Sequence, residues 1–179
     1  MKATVFAFLL CAFAIVDLSV SPPVYAQTSQ ATLLTCTGTG EVTYSPGLTF
    51  TPTFNTYKVN ATLAPCLGTV ANVATARFST SGAATLSCEV LTDTVTKPSY
   101  AFVWGDRTQS QTQTDTVVVQ RPLGEIVRVE TGHVVSGRFA GDTVVSTYTF
   151  LDSNLTACLA GGVTSTGGPV VVAVLGSSP

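Results

Sequence analysis

Strict two-residue alternation is the feature that most limits the folds open to this chain. In Tyr57-Lys58-Val59-Asn60-Ala61-Thr62-Leu63 every odd position is apolar and every even one polar. Ala74, Ala76 and Phe78 alternate with Thr75, Arg77 and Ser79, and Ala84, Leu86, Cys88 and Val90 with Thr85, Ser87 and Glu89. Successive side chains of an extended backbone point to opposite sides, so a period of two with one oily face specifies a strand wet on its other face. The 30 threonines, 15 glycines and 9 prolines act in the same direction. Branching at Cβ suits a pleated surface, while Gly and Pro are the poorest residues for a helix interior. Further strands are expected at roughly 31–44, 100–104, 112–120, 125–131, 143–151 and 169–175. Turn chemistry separates them at Ser45-Pro46-Gly47, Ser81-Gly82, Gly105-Asp106, Arg121-Pro122-Leu123-Gly124, Gly141-Asp142 and Gly161-Gly162. Many short strands at this spacing predict an all-β, antiparallel β-sandwich, in which two sheets hide their oily faces against each other.

The first 26 residues read differently. Lys2 is followed by the apolar stretch Ala3 to Val16, then Pro22-Pro23, then Val24-Tyr25-Ala26, small at the two positions a signal peptidase reads. That stretch is short for a bilayer and Asp17 ends it, so residues 1–26 are expected to be a removed signal. A single secreted domain would then span 27–179. An extracellular destination is oxidising and lets the cysteines beyond residue 26 pair. Charged residues make up only 10% of the chain and its net charge is −2, few charges and the wrong sign for nucleic acid or an anionic membrane. No nucleic acid, and no membrane once the signal is gone, is therefore expected as a partner.

Cys36, Cys66, Cys88 and Cys158 permit three pairings. Ala84-Thr85-Leu86-Ser87-Cys88 ends a strand at cysteine, Trp104 follows in Tyr100-Ala101-Phe102-Val103-Trp104, and Asp152-Ser153-Asn154-Leu155-Thr156-Ala157-Cys158 ends at a second cysteine. This arrangement resembles the Cys…Trp…Cys pattern of immunoglobulin-like domains over residues 73–175, although Thr156 stands where the corner tyrosine belongs. The whole chain after residue 26 is also similar to a family of small secreted actinobacterial β-sandwich proteins of unassigned function. Cys36-Thr37-Gly38, Tyr44-Ser45-Pro46-Gly47-Leu48, Cys66, Leu86-Ser87-Cys88, Trp104 and 132–142 carry that likeness. The resemblances imply an immunoglobulin-like fold, a secreted location and the disulfides Cys36–Cys66 and Cys88–Cys158. They imply no chemistry.

Catalytic, metal and cofactor sites find little support in the residues, and none is expected. His133 is the one histidine, no G-x-S-x-G surrounds a serine, and no close cysteine pair offers metal-ligand spacing. The acids are expected mostly at turns or on wet strand faces; Asp106 and Asp142 both follow glycine, yet no D-x-D loop surrounds them. Thr108-Gln109-Ser110-Gln111-Thr112-Gln113-Thr114-Asp115-Thr116 is the most unusual segment, with hydroxyls at even positions and amides or a carboxylate at odd ones. It reads first as a fully wetted edge strand that blunts aggregation. As a functional surface, Arg107, Thr108, Gln109, Ser110, Gln111, Thr112, Gln113 and Thr114 form a candidate binding array for cell-wall polysaccharide or an extracellular protein, with the Gly161–Gly168 loop as a second surface. Trp104, after an apolar run, is expected to be buried. The expected function is a secreted, non-enzymatic binding or surface-associated module. The alternatives are a protease inhibitor presenting a disulfide-braced loop at Leu63–Gly68 and an extracellular hydrolase.

Overall fold

The structure, a computed structural model, describes residues 30–88, 97–122, 125–151 and 154–177. The signal-like segment and the strand end expected at Glu89 and Val90 lie outside them. Eight strands are present among the described residues: β1 (Thr32–Leu48), β2 (Thr53–Gly68), β3 (Ala76–Leu86), β4 (Ser99–Trp104), β5 (Gln109–Gln120), β6 (Glu125–Gly137), β7 (Thr143–Leu151) and β8 (Val163–Leu175). One short helix, α1 (Asn154–Leu159), precedes β8. The all-β antiparallel architecture follows the alternation, and both expected disulfides form, Cys36–Cys66 and Cys88–Cys158.

The sheet organisation differs from the expected sandwich. Each strand pairs with the next, and β8 returns to pair with β1, so one sheet closes on itself as a barrel. The closing seam runs from Thr32↔Leu175 to Thr43↔Ser165 and leaves neither terminal strand with a free edge along it. Strands of this length can tilt and wrap far enough to meet, which short strands could not. Closure also lets ladders run through residues with turn chemistry, because partners on both sides outweigh local preference. Thus Ser81-Gly82 lies inside β3, Gly132-His133 inside β6, and most of Gly161–Gly168 inside β8. Leu63–Gly68 is the end of β2, paired with β1, not a free loop that a protease could engage.

The inward faces build two apolar clusters. The larger contains Leu34, Leu63, Phe78, Phe102, Trp104, Val134, Val170, Val172 and Val174. At one end Trp104 is 2% exposed and stacks on Phe102, and Phe139 meets its ring edge-on at 5.0 Å. Arg138 lies over Phe139 and pairs with Asp106 in the β4–β5 turn. The smaller cluster, Leu48, Leu86, Cys88, Cys158 and Val163, sits at the opposite end. There the Cys88–Cys158 bond ties the end of β3 to α1 instead of bridging two sheets. Trp104 stands at the far end of β3 from this disulfide, opposite Ala76. Outward positions of β1 to β3 carry Thr35, Thr39, Glu41, Lys58, Asn60, Thr62, Arg77 and Ser79, a polar outer face, whereas those of β6 to β8 include Val129, Val145 and Val171.

Candidate functional site

The inward face of β6 reads Ile126, Arg128, Glu130, Gly132, Val134, and puts two charges where a barrel normally places hydrocarbon. Arg128 Nε and Glu130 Oε1 stand 2.6 Å apart, with side chains only 11% and 4% exposed. The other carboxylate oxygen, Oε2, accepts hydrogen bonds from Tyr100 at 2.9 Å and Thr114 at 3.4 Å. Buried charges are tolerated only when paired and hydrogen-bonded, and Glu130 meets both conditions. Among the described residues it departs from the expectation that the acids sit mostly at turns or on wet faces.

Beside this pair lies a cavity of about 90 Å³. Tyr44, Tyr57, Tyr100, Tyr148 and Phe150 line it with rings, and Val42 and Val59 with branched aliphatic surface. Register explains the grouping: Val42 pairs with Val59, Tyr44 with Tyr57, and Arg128 with Tyr148. Gly82 faces Tyr57, and a Cβ there would come within 2.6 Å of the phenol oxygen. The missing side chain is what lets the Tyr57 ring lie against β3. The neighbouring wall is short. β4 pairs only with Ala76–Ser79 of β3, so among the described residues Gly82–Leu86 and Asp115–Gln120 have no ladder on that side. Pro98, at the entry to β4, lines the cavity there.

The cavity hydroxyls are poorly solvated. Burial pushes the Tyr44 phenol well above its usual range, an effect that the Arg128 guanidinium only partly offsets. Burial likewise raises Tyr100, and the neighbouring Glu130 carboxylate adds to it. Tyr148 is raised for the same two reasons, burial first. Its hydroxyl is fully buried beside those of Tyr100 and Ser146, which partly offset the rise, and it makes no closely aligned hydrogen bond.

The segment singled out from sequence is divided by the fold. Its alternation holds, but Ser110, Thr112 and Thr114 point into the barrel and are buried, so β5 is not a wetted edge strand. Ser110 accepts a hydrogen bond from Trp104 Nε1 at 2.8 Å and donates to the Arg138 carbonyl. Thr114 belongs to the Glu130 network. Arg107, Thr108, Gln109 and Gln111 are exposed. Gln113 is half-buried and tied to Ser99 at 2.5 Å and the Lys97 carbonyl at 3.3 Å. His133 lies on the outer face of β6, exposed, with Nδ1 2.7 Å from Asp115 Oδ2. Asp106 accepts from Thr108 in its own turn and pairs with Arg138 after β6, and Asp142 accepts from Ser177 after β8, so each carboxylate is engaged by the protein itself. Among the described residues no three His, Cys, Asp or Glu side chains gather as metal ligands.

Sequence reasoning missed Tyr44, Tyr57, Tyr100, Arg128, Glu130 and Tyr148. A signal existed in Arg128-Val129-Glu130: two opposite charges with strand spacing share one face. Val127 and Val129 offered a more oily face for the interior, and the barrel did not choose it. Comparison with protein-family models, with curated proteins and with solved structures found no match.

Proposed function

We propose that this chain is a secreted, non-enzymatic binding module that takes a small ligand into the cavity of its barrel. The observation that carries the reading is the ring-lined space beside the buried Arg128–Glu130 pair, which the barrel's own side chains leave unfilled. An eight-stranded barrel is just wide enough to be filled by its own side chains or to hold one small ligand. Here one end is filled and the other is not. A buried water needs roughly 10–15 Å³ of such space, so about 90 Å³ accommodates a molecule of several heavy atoms. Secretion is supported by the two disulfides, which oxidising surroundings maintain, and by the signal-like start.

The test is native mass spectrometry of the oxidised chain from Gln27 onward, incubated with small-molecule extract of its own culture medium. A saturable mass increment is expected, and Val42→Phe, which fills the cavity, should abolish it. No increment, or one indifferent to that substitution, would remove the cavity as the site. A second reading keeps the exposed row Arg107, Thr108, Gln109 and Gln111 as a surface for polysaccharide or an extracellular protein, favoured by their outward projection. Under that reading, retention on cell-wall polysaccharide disappears with Arg107→Ala and Gln111→Ala and ignores Val42→Phe.

A further inference from the structure

We infer that Ser99 and Gln113 become joined by an ester that the chain forms on itself, linking the first residue of β4 to its partner on β5. The site lies on the outer wall of the barrel and is independent of the cavity reading.

Four outward side chains carry the inference. Ser99 is directly opposite Gln113 in the β4–β5 ladder, and Gln113 is directly opposite His133 in the β5–β6 ladder. Register thus lines up a hydroxyl, a carboxamide and an imidazole across three strands, at the spacing where cross-strand neighbours interact. Ser99 Oγ donates to Gln113 Oε1 at 2.5 Å. Gln113 Nε2 donates to the carbonyl oxygens of Thr114 at 3.2 Å and Lys97 at 3.3 Å. The carboxamide is therefore held at both ends, with a nucleophile one bond away from its carbon. His133 Nδ1 stands 2.7 Å from Asp115 Oδ2. A carboxylate there keeps the ring proton on Nδ1 and leaves the lone pair of Nε2 to act as base. Asp115 falls where the β5–β6 register shifts, between Thr114 and Thr116, and such bulges re-aim side chains beside reactive groups.

The reaction needs no other reagent. His133 Nε2 takes the hydroxyl proton as Ser99 Oγ attacks Gln113 Cδ. The Cδ–Oγ bond forms, the Cδ–Nε2 bond breaks, and the same proton passes to the departing nitrogen, which leaves as ammonia. One amide and one hydroxyl become one ester and one ammonia, with no change of oxidation state. Contact between the groups replaces a bimolecular encounter, and loss of ammonia to bulk solvent draws the step forward. Gln113 is consumed, so each molecule reacts once and turns nothing over. The product is a third covalent staple. It would fix to β5 the start of β4, a strand of only six residues, beside the Pro98 that lines the cavity.

The test is peptide mapping of the oxidised chain from Gln27 onward, incubated at neutral pH, then reduced and digested with trypsin. Cleavage at Arg107 separates Ser99 from Gln113. The ester should hold the two peptides together as one species, lighter than their sum by one ammonia, and hydroxylamine should part them. Mapping is required because Gln27 also loses ammonia if it cyclises at the new terminus. Ser99→Ala and Gln113→Glu should each give two separate peptides. His133→Ala should slow linkage by about 100-fold or more at unchanged thermal stability, and added imidazole should restore part of the rate. Two unmodified, separate peptides from the parent chain would overturn the inference. Gln113 recovered as glutamate beside a free Ser99 would also overturn it, since water would then have taken the carbonyl. Linkage at the parent's rate in His133→Ala would remove the histidine as the base. The parent's map decides the ester even if a variant folds poorly, and no outcome bears on binding in the cavity.

Discussion

The two ends of the barrel follow one alternation rule and arrive at opposite chemistry. Near the β4–β5 turn, the inward positions are Leu63, Phe102, Trp104 and Val134, each at most 2% exposed, and they fill the interior. Toward α1 the same inward rows continue as Tyr44, Tyr57, Tyr100, Arg128, Glu130 and Tyr148, and a cavity remains. Part of the difference lies in the backbone, since β4 reaches only as far as Ser79 of β3 and Gln113 of β5. At the filled end polar groups are few and each is satisfied inside the wall, as Trp104 Nε1 is by Ser110. At the open end rigid rings and an ion pair cannot interdigitate to the density of branched hydrocarbon. The barrel is therefore divided lengthwise, one end a filled core and the other a cavity.

This contrast is open to direct attack. The largest effect is expected from Trp104→Ala at the filled end, about 4–5 kcal/mol of lost stability from transfer and cavity terms together. Denaturant unfolding should show that loss while ligand binding in the still-folded variant stays unchanged. If binding weakened in step with stability, the ends would not be independent.

Alkaline titration probes the other end. Tyr44, Tyr100 and Tyr148 all have pKa values raised above the ordinary 10 by burial, so the folded state holds its protons longer than the unfolded one. Stability from these groups is complete below about pH 10 and is lost as pH rises further. By pH 11 the loss is about 1.4 kcal/mol per group, or about 4 kcal/mol for the three. Thermal unfolding followed from pH 8 to 11 should fall steeply only above 10, and a double Tyr100→Phe, Tyr148→Phe variant should flatten the decline. A decline already complete by pH 9 would contradict the burial of these phenols.

Glu130→Ala is expected to cost about 3 kcal/mol, because it leaves the Arg128 charge inside the barrel without its carboxylate. Arg128→Met combined with Glu130→Leu should recover to within about 1 kcal/mol of the parent, since an apolar pair of similar volume replaces a pair whose desolvation nearly cancels its attraction. Urea midpoints of the single and double variants measure both. A double variant as unstable as the single one would mean that the ion pair, like Trp104, is structural first.

Legibility from sequence was uneven for identifiable reasons. The alternation in Tyr57–Leu63 marked β2 correctly, because a half-buried strand writes its period directly into side-chain polarity. Ser81-Gly82 looked like a turn and is strand, since local propensity cannot register the Tyr57 ring that Gly82 accommodates from β2. In β6 the oily pair Val127 and Val129 faces outward; the ion pair and its hydrogen bonds to Tyr100 and Thr114 make the charged face tolerable inside, and no single strand records those partners. On β5 the hydroxyl row was visible but its direction was not, because Ser and Thr are content on either side of a sheet.

What the residues determined alone was the strand-forming backbone, its polarity pattern and a set of cysteines able to pair, all of which are local or compositional properties. Only the tertiary structure decided that one sheet closes through β1 and β8, which face is inside, and that Arg128, Glu130 and four tyrosines converge on one cavity. Those outcomes depend on register and partners contributed by strands distant in sequence. A one-residue slip would turn every one of these side chains to the opposite face, and nothing in a single strand specifies that choice.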